Sequence, residues 1–486
     1  KETVLTPWRV VNMHMSDCLG GWCFYDEKFE KTLTEPRHVS QGKVTKEVFH
    51  PDGHILEINS KSGLYPLYVA YSVYRSRLDV FKQKYGEVEH NFAMSIWDAT
   101  IEENILVVCK TPMARSITHR TLTGFRDTRV NAQYYPNLIE NTSENPTVVV
   151  NTIRDGRRFW KINNDKNMKF DAIVGNPPYQ IMDGGNKSSA SPVYHRFVNL
   201  AKTLKPQYIS MIMPARWYAG GKGLDSFRDE MLNDNSICKI MDFTDSTDCF
   251  STVDIAGGIC YFLWGKSHSG LCEFSNRLNG VTTTEKKKLD EFDILIRYPI
   301  ADKIIHKVLK DNLFLDSWVS ARKPFGLATD FIPNTKGSIK LKTNSGYVSF
   351  SKSEINSGLD LVEKWKIIIS YLTAEHAGMP DANGQFKVIS TNEILPPNSA
   401  CTETYLVVGA FDNEASALNL YNYVRTRFVR FLIQMSLSGQ HITRSNFKFV
   451  PLQDFSKPWT DEELYAKYDL TDDEIAFIES MIKPME

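Results

Sequence analysis

Apolar and polar positions alternate in two rhythms over residues 50–265. HILEI (54–58), ILVVCK (105–110), VVVNTI (148–153), FDAIVG (170–175) and YISMIMP (208–214) are short apolar runs of the kind that form buried strands. ICKIMDF (237–243) and GGICYFLW (257–264) supply two more. Between them, LYPLYVAYSVYRSRLDVF (64–81), PMARSITHRTL (112–122) and YHRFVNLAKTL (194–204) carry helical spacing, with Pro112 placed to start its helix. Strands alternating with helices predict an α/β fold built on a doubly wound, largely parallel sheet. Ligands of such sheets sit beyond the carboxyl ends of the strands. ILEINSKSG (55–63) and FDAIVGNPPY (170–179) both fall at such ends.

After about residue 280 the rhythm changes. KKKLDEFD (286–293) is a charged junction, and strands then alternate with turns rich in Gly, Pro and Asn before one helix at 415–437. The expected organisation is a domain over 1–280, an α+β domain over 285–450 and an acidic helical extension over 451–486. The chain opens on Lys1 directly into a motif, and sequence upstream of it is expected.

Composition narrows the class. No apolar run approaches 18 residues, so no membrane span is expected, and no signal peptide is visible. The eight cysteines form no CxxC and no zinc-type spacing; buried free thiols in a cytoplasmic protein are the expectation. Net charge is −1, which says little about DNA, but its distribution is uneven. From Asp454 onward ten acids face three lysines, leaving about −7 there and about +6 elsewhere. Basic clusters lie at Arg154, Arg157, Arg158, Lys161, Lys166 and Lys169, and at Arg425, Arg427, Arg430, Arg444 and Lys448. Each is either a solvated face or a phosphate contact.

Asn176-Pro177-Pro178-Tyr179 carries the strongest chemical signal. An amino group conjugated to a purine ring is a poor nucleophile because its lone pair is delocalised. Two acceptors that take both of its N–H groups draw the nitrogen towards tetrahedral geometry and aim the lone pair at an electrophilic methyl. The Asn176 side-chain oxygen can be one acceptor and the Pro177 carbonyl the other, held in aim by two prolines. The Tyr179 ring offers a stacking surface for an extracted base. Asn-Pro-Pro is also ordinary turn chemistry, but here it follows a buried strand in a doubly wound pattern.

FDAIVGNPPYQ resembles the catalytic motif of the amino-directed DNA methyltransferases in the adenine-N6 form. The order of parts resembles the gamma arrangement of TaqI-like, type IIG and type I modification enzymes, with the resemblance extending over essentially the whole chain. Thr6-Pro7, followed by Val10, Val11 and Met13, matches the N-terminal cofactor motif, and Glu57 to Gly63 the cofactor strand. RKPFG (322–326), WKIIISYLTAEHAG (365–378) and NFKFVPLQDF (446–455) look like the target-recognition domain. The resemblance implies a Rossmann-like domain that binds S-adenosylmethionine and acts on double-stranded DNA as the modification part of a bacterial restriction–modification or phage-defence system. Carried over by position, Glu57, Ile58 and Asn59 line the methionine end of the cofactor, Gly63 permits close approach of the chain, and Thr6 and Pro7 close the site. Phe250 matches an aromatic that sandwiches the flipped adenine against Tyr179.

The sequence departs from that family at two places. The first glycine of the cofactor loop is Lys61, and the second strand ends in Cys109-Lys110 where an acid for the ribose is usual. Asp98 and Asp155 are the substitutes, with Asp155 the better contact for the cofactor's adenine ring. No P-loop accompanies Lys61-Ser62. His195, His376 and His441 have no metal-ligand partner at helical spacing, and no metal is expected. The loop MDGGNKSSASP (182–192) reads as a lid over the target base. No nuclease motif is evident, so any nuclease domain or subunit lies outside these residues. Two alternatives stand beside this reading: an RNA or protein amino-methyltransferase, and a catalytically impaired DNA-binding subunit with a degenerate cofactor pocket.

Overall fold

The computed structural model describes residues 4–162, 166–182, 190–251, 253, 255, 257–334, 336–375, 380–437 and 439–485. The chain divides into two compact units, 1–293 and 294–486.

The first unit opens with α1 (Trp8–Cys18), a ribbon of β1 (Gly21–Tyr25) and β2 (Thr32–Val39), and α2 (Lys43–Val48). Then come β3 (Ile55–Ser60), α3 (Leu64–Tyr85), α4 (His90–Glu103), β4 (Ile105–Cys109), α5 (Pro112–Thr123) and β5 (Ala132–Tyr134). Helices α6 (Leu138–Glu144) and α7 (Pro146–Arg154) lead to β6 (Ala172–Gly175), and a ribbon of β7 (Gln180–Met182) and β8 (Ala190–Pro192) follows. The unit continues with α8 (Tyr194–Leu204), β9 (Tyr208–Pro214), α9 (Asp225–Leu232), β10 (Ile237–Phe243), β11 (Ile259–Gly265), β12 (Cys272–Leu278) and β13 (Val281–Lys287).

Nine strands form one sheet in the order β13-β12-β10-β11-β9-β6-β3-β4-β5. The run from β9 to β5 is parallel throughout, while β11 is antiparallel to both of its neighbours and β13 to β12. The sheet is therefore mixed, and more so than the sequence pattern suggests. Both faces are covered. Ile105, Val107, Ala172 and Val174 share a core cluster with residues of α1 and α3, and the alternating Leu106, Val108 and Ile173 are equally buried. A strand buried on both faces reads as a continuous apolar run, which is why these strands were legible. The chain leaves β3 towards β4 and β5, then returns to β6 on the other side of β3. That reversal opens a crevice at the carboxyl ends of β3 and β6.

Residues 148–153, expected as a strand, are helical within α7. Pro146 occupies the first helical position, and Val149, Val150 and Ile153 are buried while Val148 is exposed. Burial one and four positions apart fits a helix face; the β-branched run misled the reading because packing overrides propensity.

The second unit has two three-stranded sheets. Strands β14 (Ile339–Thr343), β15 (Gly346–Phe350) and β18 (Ser399–Cys401) make one, and β16 (Trp365–Ser370), β17 (Asn392–Leu395) and β19 (Tyr405–Phe411) the other. Its helices are α10 (Pro299–Val308), α11 (Leu359–Val362), α12 (Glu414–Arg425), α13 (Arg427–Met435), α14 (Asp461–Lys467) and α15 (Asp472–Met481). The single helix expected at 415–437 is two. Thr426 is extended (φ −59°, ψ 150°), and its hydroxyl accepts from Val429 N at 3.2 Å to cap α13.

The acidic residues 451–486 belong to this unit. Six of the acids fill the first turns of α14 and α15, where Thr460/Glu463 and Thr471/Glu474 form capping boxes. The Asp461 carboxylate also accepts from Arg427 N and Phe428 N at 3.0 and 2.9 Å. Much of the second basic cluster is structural as well. Arg430 is buried and donates to the carbonyls of Arg425, Thr426 and Lys387, and Arg427 pairs with Glu479 at 2.9 Å. These two arginines serve the packing of helix ends rather than an open phosphate-binding face.

Candidate active site

At the carboxyl end of β3 the strand is distorted. Ile58 pairs with Val108, but Ser60, not Asn59, pairs with Cys109, so one residue bulges. Asn59 takes a left-handed conformation (φ 74°) that asparagine tolerates better than most residues. It is buried, and among the described residues its Nδ2 has no hydrogen-bond partner. Glu57, two residues earlier, is also buried, with Oε2 unpartnered. Burial pushes its carboxyl up to about 7, against the pull of a Ser60 hydrogen bond and of the Lys61 charge. Burial likewise pushes the Lys61 ammonium down to about 8, with Glu57 opposing.

The neighbouring strand β6 ends at Gly175 (φ 142°), where a Cβ would stand 3.1 Å from Glu57 Cγ. Glycine lets the chain pass over the carboxylate and present Asn176. Asn176 Nδ2 donates to the Val4 carbonyl at 3.2 Å and to Thr6 Oγ1 at 2.9 Å. The same Val4 carbonyl accepts from Lys61 Nζ at 3.1 Å. A carbonyl only accepts, so the amide nitrogen must face Val4 and the amide oxygen must face away. Among the described residues Asn176 Oδ1 is buried with no hydrogen-bond partner, as is the Tyr179 hydroxyl. Four unpartnered polar atoms, on Glu57, Asn59, Asn176 and Tyr179, thus belong to two adjacent strand ends. Each unmet group costs about 1–3 kcal/mol, the signature of a site that completes its bonds with a ligand.

Thr6 is bonded to Asn176, Glu57 lies against Gly175, and Asn59 follows at the bulged end of β3; Pro177 and Pro178 are buried after Asn176. Pro7 starts α1, its carbonyl accepting from Val11 N at 3.0 Å. Ile58 is buried within β3. Gly63 has a different reason from the one expected. At φ 76° it caps α3, and a Cβ would lie 2.9 Å from Thr118 Cα, so the close approach is to α5. Phe250 and Tyr179 lie in the same buried cluster, with 2% and 7% of their surfaces exposed.

Asp155 is not brought to this group. Its carboxylate accepts from Arg158 N at 2.8 Å and caps the turn Gly156–Trp160. The adjoining Arg154 carbonyl accepts from Met168 N, ahead of the amino end of β6 and so at the opposite edge of the sheet from Asn176. Asp98 pairs with Arg126 at 2.7 Å. Cys109 is buried with its thiol towards Thr118 Oγ1, 3.9 Å away. Neither aspartate therefore replaces the acid that β4 lacks. His376 and residues 183–189 of the expected lid lie outside the described residues; the lid's base is the β7–β8 ribbon, which begins right after Tyr179.

Two features escaped sequence reading. Lys61 stood out as a departure from the expected glycine, yet its side chain ties the loop after β3 to the N-terminal segment through a backbone carbonyl, which no sequence pattern advertises. His14 was passed over, although it shares the buried face of α1 with Val10, Val11, Met15 and Cys18, a spacing visible in the sequence.

Residues 103–250 match the family model of the Eco57I restriction-modification methylases. That segment contains β4, Asn176 to Tyr179 and Phe250. An uncharacterized adenine-specific methylase of Mycoplasma pneumoniae is 41% identical over 106 residues, 21% of this chain and 25% of that protein. The chain thus spans about a quarter of the length of that curated relative. Solved structures similar to it include a nuclease-deletion mutant of the type ISP restriction-modification enzyme LlaGI with a DNA substrate mimic (TM-score 0.48, 11% identity, 96% of this chain and 46% of that one). The type IIL restriction-modification enzyme MmeI in complex with DNA is another (TM-score 0.44, 10% identity, 81% and 60%). The chain is therefore similar to restriction-modification methylases and to an adenine-specific methylase.

Gly63→Ala tests the packing at the start of α3. Strain at positive φ and the contact with Thr118 should cost about 1–3 kcal/mol, seen as a lower midpoint of thermal unfolding. An unchanged midpoint would mean that α5 does not press on this glycine.

Proposed function

We propose that the chain is a site-specific DNA adenine-N6 methyltransferase using S-adenosylmethionine, the modification part of a bacterial restriction–modification system. The first unit is the Rossmann-like transfer domain, in the gamma order of parts, and the second the target-recognition domain. The observation that carries this reading is the Asn176 amide, fixed by its nitrogen and offering a buried, unpartnered oxygen at the sheet's switch point.

The residues at the end of β3 fit the methyl donor. Glu57 Oε2 suits a cationic amino group and Asn59 Nδ2 a carboxylate, the two charged groups of its methionine end. When bound, the donor supplies an electrophilic methyl group. The chain's own task is to make the amino group of adenine reactive. Asn176 Oδ1 and the Pro177 carbonyl accept its two N–H bonds, which releases the nitrogen lone pair from the ring. Tyr179 and Phe250, both buried, flank the extracted base. Lys61 motivated the alternative of a binding-only subunit, but its ammonium is engaged by the Val4 carbonyl. Methylation of RNA or of a protein side chain by the same acceptor pair is the competing outcome of the test below.

Asn176→Ala should lower kcat for methyl transfer by about a thousandfold while leaving cofactor affinity within about threefold. Turnover near the wild-type level would sink the mechanism. A second expectation concerns pH. A carboxyl with its pKa raised to about 7 is neutral below that pH and anionic above it. Pairing with a cationic amino group favours the anion, so S-adenosylmethionine should bind more tightly as pH rises from 6 to 8, by up to about tenfold per unit below 7. Glu57→Gln should bind weakly and without that slope in titration calorimetry. An equal slope in the variant would remove Glu57 from the cofactor site.

A further inference from the structure

Tyr371, just past the end of β16, carries two planar neighbours. The Arg322 guanidinium carbon lies over its ring, 4.6 Å from the centroid, and the His441 ring is stacked with it at 4.6 Å and 26°. The three residues come from three loops of the second unit, and backbone bonds fix each loop. Tyr371 N donates to the Thr404 carbonyl at 2.9 Å, and Ile442 N donates to the Tyr371 carbonyl at 2.8 Å. Leu372 and His441 form an antiparallel bridge. Two residues before Arg322, Ser320 N donates to the Val407 carbonyl of β19 at 2.8 Å, and Ser320 Oγ accepts from Val407 N at 3.0 Å. Three residues after it, Phe325 is buried in the core of this unit. The stack is therefore built into the fold.

Arg322 is held at its base and open at its tip. Its Nε lies 3.6 Å from Glu403 Oε2, and the side chain is 55% exposed. Among the described residues its Nη1 and Nη2 make no hydrogen bond. A guanidinium so placed presents two parallel N–H donors in one plane. Such a fork fits a phosphate or the edge of guanine, whose N7 and O6 are adjacent acceptors. The surroundings choose between the two. Glu403 sits between Arg322 and Lys323, which it meets at 3.4 Å, and partly neutralises both. A carboxylate beside the fork repels a phosphate but not the neutral edge of a base. Leu372, next to the stack, is 48% exposed, an apolar side chain suited to a base edge and not to a charged backbone. Adenine has an amino donor where guanine has O6, so the fork would meet it donor to donor.

We propose that Arg322 is a specificity-determining residue that reads a guanine in the major groove of the recognised DNA sequence, with Tyr371 and His441 as the platform that holds its fork.

This inference rests on the methyl-transfer reading for its substrate, duplex DNA, and its test separates the two. The full chain and its Arg322 variants are incubated with S-adenosylmethionine and DNA that lacks adenine methylation, and the modified sequences are read by sequencing that detects N6-methyladenine. The wild-type sequence should contain a fixed guanine. Arg322→Ala should lose the preference for that guanine by about 10- to 100-fold and keep the preferences at other positions. Arg322→Lys keeps the charge but not the fork, and should relax the same position. Tyr371→Leu should lose part of the preference, and full preference there would remove the platform. An unchanged sequence in Arg322→Ala would overturn the proposal. So would weaker methylation of all sequences alike, the mark of a phosphate contact. Binding gives a second readout. Replacing the assigned guanine by 7-deazaguanine removes N7, and should weaken wild-type binding about fivefold while leaving Arg322→Ala unaffected; an equal loss in both would overturn the assignment. A wild type that methylates no DNA would count against the methyl-transfer reading. Duplexes selected from a random pool by binding to the full chain would then decide Arg322 alone. One guanine lost from the selected sequence in Arg322→Ala supports the proposal, and identical sequences, or no sequence preference at all, overturn it.

Discussion

A carbonyl oxygen accepts hydrogen bonds and cannot donate them, and at Val4 that asymmetry decides which way the Asn176 amide faces. Asn176 Nδ2 and Lys61 Nζ converge on the one oxygen, at 3.2 and 3.1 Å. The N-terminal segment, the loop after β3 and the residue after β6 are thereby tied at a single atom. Much else in the site follows from this tie. It leaves Asn176 Oδ1 unpartnered, which in a finished core would be a defect and at a reaction centre is a preformed acceptor. Reorganisation that a flexible amide would require during the reaction is already complete in the fold.

The surrounding electrostatics follow from burial. Glu57 lies within β3 and Lys61 just past its end, and desolvation moves each towards its neutral form, to about 7 and about 8. The carboxylate has a free oxygen while the ammonium is turned to Val4. The pair therefore divides its work, the acid open to a cation and the base holding the N-terminal segment. The glycine usual in the family's loop could not do the second task. A lysine there is compatible with a working site because its side chain leads away from Glu57 Oε2 to a structural acceptor.

What was legible in the sequence was whatever is written in periodicity or in a local motif. The strands at 55–60, 105–109, 172–175 and 208–214 are apolar because both sides of the sheet are covered, and Asn176 to Tyr179 announce themselves by chemistry. What was not legible depends on partners distant in sequence. Residues 148–153 are β-branched like a strand but packed like a helix, and Thr426 breaks a helix with no glycine or proline to mark it. Arg430 belongs to a cluster read as either a solvated face or a phosphate contact, and is instead a buried donor to three carbonyls. The acids near the C-terminus were expected on a helical extension; that they serve as first-turn acids and capping partners of two helices was not. Gly63 was noticed for close approach of the chain, but its positive φ and the packing of α5 against it have no signal in the sequence. The hydrogen bonds of His14 to Tyr65 and to Ser210 join residues 51 and 196 positions apart, beyond the reach of any local reading.

The central claim is that the fixed Asn176 amide activates the amino group of adenine in DNA. Its most direct test is to incubate the protein with S-adenosylmethionine carrying a tritiated methyl group and with bacterial DNA that lacks adenine methylation, then digest the DNA and identify the labelled base. The account predicts label in N6-methyladenine and in no other base. Label in cytosine, in RNA or in protein alone, or no label from a folded protein that binds the cofactor, would contradict it.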